Sequence, residues 1–447
     1  MFMHTIWRFQ GVGDMDLWQL DAAQASALMA QGELCSEDLT RACLDRIAAR
    51  EPVLKAWAHL DPEGALAQAR VRDREPRRGP LHGIPVGIKD VIRTADLPTT
   101  FHSPVYAGHR PNEDAHAVAV LRALGAVILG KTHTLEFACG GAFPPTCNPW
   151  DPQRTPGGSS SGSGAAVADG MVPLALGTQT GGSTIRPAAF CGVYGMKPTW
   201  GRIPFDGIKS YSPALDTVGL YGRSAADLRL LLQAYALDDA GDALPRSPAQ
   251  LRLGVCRTPY WAEADAQAQS AFDEALARLR QAGVVLVELP WPEGCEEINR
   301  WQDEVMQDGG RYAFWPERLN HPQLLHADFQ AKLDNHLGLT PERMRSATDG
   351  IARCRAAFEA LLYGLDGAIG LSAPGPAPIG LQSQGMATFN RMWTALQVPC
   401  IGIPALWTAQ GLPMGLQLIG RRYDDAALLA VAQALGTVLD TRRTPWN

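Results

Sequence analysis

The chain has 447 residues, 46% of them hydrophobic and 19% charged, with a formal net charge of −6. That is enough for a large core, and with no basic block or stripe nucleic acid is not an expected partner. No apolar run is long enough to span a membrane, and residues 1–14 lack a basic region leading into an apolar one.

Nine cysteines, an odd number with no Cys-x-x-Cys pair, predict reduced thiols in a cytoplasm rather than a disulfide framework or a zinc knuckle. Residues 1–15 read as an N-terminal extension and 16–440 as one domain. Residues 16–75 read as helical, with Ser36-Glu37-Asp38 as a helix start. Leu81 to Asp90 is strand-like and ends on Lys89, a lysine in a run that patterning would bury. Asp114 to Leu124 predicts an amphipathic helix and Gly125 to Lys131 a buried strand. Further strands are predicted at Leu251–Val255, Val284–Leu289, Ala368–Leu371 and Leu412–Gly420, with helices at Gln269–Gln281 and Ala426–Leu439. Residues 240–250 read as a loop, and residues 293–360 as a polar, Trp-rich helical cap or insertion without a sheet signal. Alternating helices and apolar strands predict an α/β fold: a large mixed, mostly parallel twisted sheet covered by helices on both faces.

The most unusual stretch runs from Gly157 to Ser183. It opens with eight consecutive Gly or Ser residues, passes through Ala165-Ala166-Val167-Ala168 and the strand-like Pro173 to Gly177, and ends on Thr180-Gly181-Gly182-Ser183. Glycines at both ends let backbone come close to something else. No Lys-Ser/Thr pair closes it, so it is not a P-loop, and no strand leads into it as a dinucleotide fingerprint needs. Gly158-Ser159-Ser160-Ser161-Gly162 matches the G-x-S-x-G elbow of α/β-hydrolase esterases. That elbow needs a preceding strand, and Asp151-Pro152-Gln153-Arg154-Thr155-Pro156 cannot supply one. The ten histidines are scattered, with no His-Glu-x-x-His and no His/Cys cluster, so neither a metal nor another cofactor is expected. What remains is a serine nucleophile with no histidine placed to serve it. A lysine can act as its base if burial lowers the lysine's pKa, and Lys89 is the lysine so placed; a surface charge at a strand end is the competing reading.

These residues resemble the amidase signature family. Gly83-Ile84-Pro85-Val86-Gly87-Ile88-Lys89-Asp90 is similar to its lysine motif, Pro156 through Ser183 to its serine-glycine signature, and Cys191 to Thr199 to the continuation. Leu124 to Thr132 and Leu412 to Gly420 match as well, so the resemblance spans roughly residues 20–440 and is thinnest over 293–360. It implies a Ser-cisSer-Lys triad: Ser183 the nucleophile, Ser159 the bridging serine after a cis bond from Gly158, and Lys89 the base. It also implies an oxyanion hole from the backbone N–H groups of Thr180, Gly181, Gly182 and Ser183, with Ser160 bonded within the triad. Phe137 to Phe143, Ala138 among them, and residues 293–360 are expected to wall the pocket.

Three positions depart from the family pattern. Gln179 stands where an acid is usual, Thr184-Ile185 moves the usual arginine to Arg186, and Asp96 replaces a common glycine. The first two resemble a malonamidase-like or urethanase-like subset and make Gln179 and Arg186 candidate substrate contacts. Arg186 either clamps a substrate carboxylate or ties structural carbonyls. The implied activity is hydrolysis of linear amides through an acyl-enzyme, extending to carbamates and esters, in a monomer or homodimer with a small-molecule substrate. The alternative is the transamidating subunit of a glutamine-dependent tRNA amidotransferase.

Overall fold

The computed structural model describes residues 16–238, 246–439 and 443–446. The extension assigned to residues 1–15 and most of the 240–250 loop lie outside the described residues. Among the described residues, one sheet has the order β1-β3-β2-β4-β6-β5-β10-β11-β9-β7-β8. The strands are β1 Trp57–Leu60, β2 Pro85–Lys89, β3 Val127–Thr132, β4 Leu174–Gln179, β5 Tyr194–Lys197, β6 Thr217–Gly222, β7 Arg252–Val255, β8 Val285–Glu288, β9 Gly367–Leu371, β10 Cys400–Ile403 and β11 Leu416–Ile419.

Every residue of β2, β3, β4, β5, β6, β9, β10 and β11 is buried. Successive side chains of a strand point to opposite faces, so full burial means both faces of the central sheet are covered. The edge strands β1 and β8 are only partly buried. The sheet is mixed, as expected, but the parallel pairings are the minority. β2 runs parallel to β3 and β4, and β7 to β8 and β9. The other six pairings are antiparallel. The antiparallel middle comes from β5, β6 and β10, four- to six-residue strands rich in glycine that carry little periodic signal. β1 also lies inside the stretch read as helical, between helices Ser36–Leu54 and Pro62–Arg72.

Within the stretch 293–360 read as helical lie the helices Ile298–Ala313, Trp315–Asn320 and Ala327–Leu333 and most of Pro341–Leu361, and their packing has a local cause. In helix Ile298–Ala313 the buried residues Ile298, Trp301, Gln302 and Val305 recur at helical spacing and form one face. Helix Pro341–Leu361 starts on Thr340, whose side chain accepts from Arg343 N, with Pro341 in the first turn. The two are joined by a disulfide between Cys295 and Cys354. This corrects the expectation of wholly reduced thiols: the partners are 59 residues apart, a spacing that carries no sequence pattern, and only the antiparallel helices bring them together. Both cysteines are buried. Closing a loop of that span stabilises by about 4 kcal/mol through the entropy it removes from the unfolded chain.

Candidate active site

The parallel neighbours β2 and β4 end on the same side of the sheet, and the candidate residues gather there. Lys89 closes β2 and is 0% exposed. Its Nζ lies 2.8 Å from Ser159 Oγ and donates to Thr178 Oγ1 at 2.7 Å. Burial holds its pKa well below the ordinary lysine value, with the field of Asp216 acting against that shift.

Two other lysines, Lys131 and Lys197, are as deeply buried. Lys131 sits 3.2 Å from Asp90 and bonds Thr99 Oγ1; burial lowers its pKa too, with the Asp90 carboxylate beside it acting against that shift. Lys197 donates to the Pro198 carbonyl at 2.8 Å. The bonded partners of Lys89 are hydroxyls alone. A neutral amine beside a serine hydroxyl is what proton abstraction requires.

Ser159 is presented by the loop that enters helix Ser161–Ala168, and the Gly158–Ser159 peptide is cis. No strand precedes this turn, so the elbow-like pattern has no elbow behind it. The neighbouring serines are engaged locally. Ser161 Oγ donates to Gly157 O at 2.7 Å and Ser163 Oγ to Leu176 O at 2.9 Å. Ser160 was expected to bond within the triad; its hydroxyl instead donates to Thr178 O at 3.2 Å and accepts from Thr178 N at 3.3 Å. It ties the helix start to β4.

The chain from Thr180 to Ser183 is held from behind. Thr180 O accepts from Gln302 Nε2 at 2.9 Å, Gly181 O from Thr394 Oγ1 at 2.7 Å, Gly182 O from Arg186 N at 2.9 Å and Ser183 O from Tyr221 OH at 3.2 Å. Thr180 Oγ1 donates to Asp216 at 2.5 Å. None of the N–H groups of these four residues has a hydrogen-bond partner among the described residues. Fixed carbonyls and open amides make a preorganised donor cluster for an anion forming near Ser183. Gly182 is required here, because a Cβ would meet Asn390 Oδ1 at 2.6 Å. Ser183 and Thr180 reach the surface, at 8% and 9% exposure, while Lys89 and Ser159 do not. Gln302, Thr394, Asn390, Tyr221 and Asp216 were not singled out from sequence; each comes from far along the chain, with no motif around it.

The Gln179 side chain turns inward. It is buried; its Oε1 accepts from Thr184 N and Ile185 N at 2.9 and 3.0 Å, and its Nε2 donates to Thr394 Oγ1 at 3.0 Å. It caps helix Ile185–Cys191, which follows the nucleophile. Arg186 is likewise turned inward, at 3% exposure. Its Nη1 donates to Gly385 O at 2.7 Å, and its Nη2 to Gly158 O at 2.5 Å and Gln384 Oε1 at 2.7 Å. Burial pulls its pKa down to about 9. Of the two readings of Arg186, these bonds favour the tie on structural carbonyls, that of Gly158 just before Ser159 among them. Arg186→Ala should lower stability by on the order of 3 kcal/mol, since it orphans buried acceptors of a charged donor. Thermal melts should show the loss, and kcat/KM should fall alike for charged and neutral substrates. A normal melt with loss confined to carboxylate substrates would restore the clamp. Ala138 is partly exposed, in a tight turn at φ 63°. Its neighbour Phe137 is fully buried against Phe101, Phe314 and Phe329.

A family model described as Amidase matches residues 38–314. The chain belongs to the amidase family. Curated relatives of this amidase include a glutamyl-tRNA(Gln) amidotransferase subunit of Chloroflexus aggregans, 36% identical over 96% of this chain and 98% of its own. The same subunit of Anaeromyxobacter dehalogenans is 33% identical over 94% and 96%. Among solved structures, one titled as the crystal structure of an amidase superposes with a TM-score of 0.85 at 28% identity, covering 94% of this chain and all of the other. The native peptide amidase of Stenotrophomonas maltophilia gives 0.80 at 31% identity over 96% and 98%. These relatives overturn the partner expectation of a monomer or homodimer with no nucleic acid, because the curated ones are named as one component of an enzyme whose name includes a tRNA. The absence of a basic stripe speaks only to this chain's own surface; in an assembly the contact with RNA can fall to another component. No helix among the described residues is long and apolar enough to cross a membrane.

Proposed function

We propose that this amidase is the amide-cleaving subunit of a glutamine-dependent amidotransferase acting on charged tRNA, with Ser183 as nucleophile, Ser159 as bridge and Lys89 as base. The observation that carries the chemistry is the buried contact of Lys89 Nζ with Ser159 Oγ at 2.8 Å, beside four open amides. Neutral Lys89 takes a proton from Ser159, which takes one from Ser183. Ser183 Oγ attacks the amide carbonyl, and the N–H groups of Thr180 to Ser183 hold the oxyanion. The tetrahedral intermediate expels ammonia, protonated back through Ser159 and Lys89, and water cleaves the acyl-enzyme. The full-length match to amidotransferase subunits supports passing that ammonia to a partner protein.

A second reading is a free-standing hydrolase of linear amides, carbamates and esters. The peptide amidase likeness favours it, and the chemistry at the carbonyl is the same. The two separate in one experiment. The protein is assayed for glutamine hydrolysis, and for ammonia transfer to glutamyl-tRNA(Gln), alone and with co-expressed amidotransferase partner subunits. Glutaminase activity stimulated at least about tenfold by the partners, with transfer, supports the proposal. Efficient cleavage of aryl amides or carbamates by the chain alone, with no effect of partners on glutamine, replaces it with the second reading.

A further inference from the structure

Helix Ile298–Ala313 crosses the segment that leads into β6, and Gly309 lets it come close: a Cβ there would meet Tyr211 O at 2.8 Å. Beside the crossing lies a cavity of about 570 Å³, within the range of small-molecule sites. Lys89, Ser159 and residues 180–183 do not line it. Rings make its walls. Phe101 and Tyr106 stand 4.8 Å apart, His109 lies 5.4 Å from Tyr106, and Tyr312 contributes a ring that is 61% exposed. Among the described residues the lining carries Arg93, Lys209 and His109 but no carboxylate, on a chain whose net charge is −6. Lys209 and Tyr106 are committed behind the wall, both donating to Glu317 Oε1. Arg93 is not. Its Nη1 reaches Glu113 Oε1 at 3.4 Å, on a carboxylate 70% exposed, and its Nε and Nη2 have no partner among the described residues. Half-buried His109 has no side-chain hydrogen-bond partner among them either.

We infer that this cavity binds a small aromatic phosphate ester, and that its occupancy changes the rate of the Ser183 chemistry. The first half stands on the cavity alone; the second rests on the proposed role of Ser183. The free Nε–Nη2 edge of Arg93 is a fork that holds two phosphate oxygens with parallel hydrogen bonds. Its pair with Glu113 is exposed and costs little to break. His109 supplies an N–H for a third oxygen. Tyr106 and Tyr312 offer faces on which a ring can stack. A bare anion would leave those faces unused and a neutral ring would leave the fork unused, so the two features together define the ligand. The link to the reaction is Asp216. Ser210 Oγ and Tyr211 N, from residues lining the cavity, and Ser212 N donate to its Oδ2 at 2.8, 2.8 and 2.9 Å, while Thr180 Oγ1 donates to its Oδ1. One buried carboxylate thus ties a wall of the cavity to the first residue of the proposed oxyanion loop. A ligand oxygen that draws the Ser210 hydroxyl away changes how that carboxylate holds Thr180.

Calorimetric titration of the full chain with phenyl phosphate, inorganic phosphate, phenol and benzoate reads the binding. The rate of Ser183 labelling by a neutral fluorophosphonate reads the reaction. Phenyl phosphate should bind with a Kd below about 1 mM, and at least about tenfold more tightly than each of the other three. Arg93→Gln and Tyr312→Ala should each weaken it by at least about fivefold, and neither should alter labelling in the absence of ligand. Saturating phenyl phosphate should change the wild-type labelling rate by at least about threefold, and the same concentration should leave Arg93→Gln unchanged. No binding, or binding that Arg93→Gln leaves intact, overturns the site. Loss of binding in protein already labelled at Ser183 overturns it as well, because the cavity would then be part of the substrate pocket. Binding with no change in labelling overturns the link through Asp216. Absent labelling without any ligand sinks the Ser183 chemistry instead, and the titration still decides the site.

Discussion

Ser183→Ala abolishes turnover and covalent labelling together, with a fall in kcat of roughly a millionfold, the scale seen when a hydrolase loses its nucleophile. The site explains why the loss is so complete. Lys89 and Ser159 are sealed from solvent, and of the three side chains in the relay only Ser183 reaches the surface. A substrate or a fluorophosphonate probe therefore meets no other hydroxyl of the relay. The variant also isolates chemistry from folding. Ser183 makes no side-chain hydrogen bond among the described residues, while its carbonyl is held by Tyr221, and alanine keeps that backbone contact. An unchanged melting temperature should accompany the lost activity. Labelling of folded Ser183→Ala protein at Ser159, Ser160 or another serine would remove Ser183 from the role.

The parts of this site that were legible in the sequence are those where the backbone itself is the instrument. The proposed oxyanion loop asks for glycine beside a nucleophile, and Gly181-Gly182-Ser183 carries that pattern. The lysine strand needs apolar neighbours ending on a charge, and Val86-Gly87-Ile88-Lys89 shows that. Burial as such did not discriminate: Lys131 and Lys197 are buried as completely as Lys89, and only Asp90 beside one and a lone carbonyl on the other set them apart. The supports of the loop were invisible for a different reason. Gln302 and Thr394 lie more than a hundred residues beyond it, in segments whose local pattern says only helix or loop. Gln179 and Arg186 were noticed because they depart from a pattern, yet their side chains turn inward, where hydrogen bonding to the backbone occupies them. The antiparallel half of the sheet was missed because β5, β6 and β10 are short, glycine-bearing and buried on both faces. That combination removes the alternation by which a strand announces itself.

Lys89→Met is the second decisive variant. Methionine nearly keeps the volume of the lysine stem, so the β2 end stays filled while the amine is lost. The expected fall in kcat is about a thousandfold, with a range of about a hundredfold to ten-thousandfold for a missing general base. The pH profile carries the sharper information. Only the neutral amine can take the proton of Ser159. Below the Lys89 pKa the ammonium dominates and the rate falls about tenfold per pH unit; above it the rate levels off. Burial moves that pKa well below lysine's ordinary value, so wild type should already be on its plateau at pH values where a surface lysine is still charged. In Lys89→Met the residual rate should lose this rise with pH. Two results would remove Lys89 from the role: a Lys89→Met protein whose residual rate keeps the wild-type rise with pH, or a folded Lys89→Met protein with near-normal turnover. The second would also require Ser159 to find another base, and among the described residues its Oγ has hydrogen-bond contact with Lys89 alone.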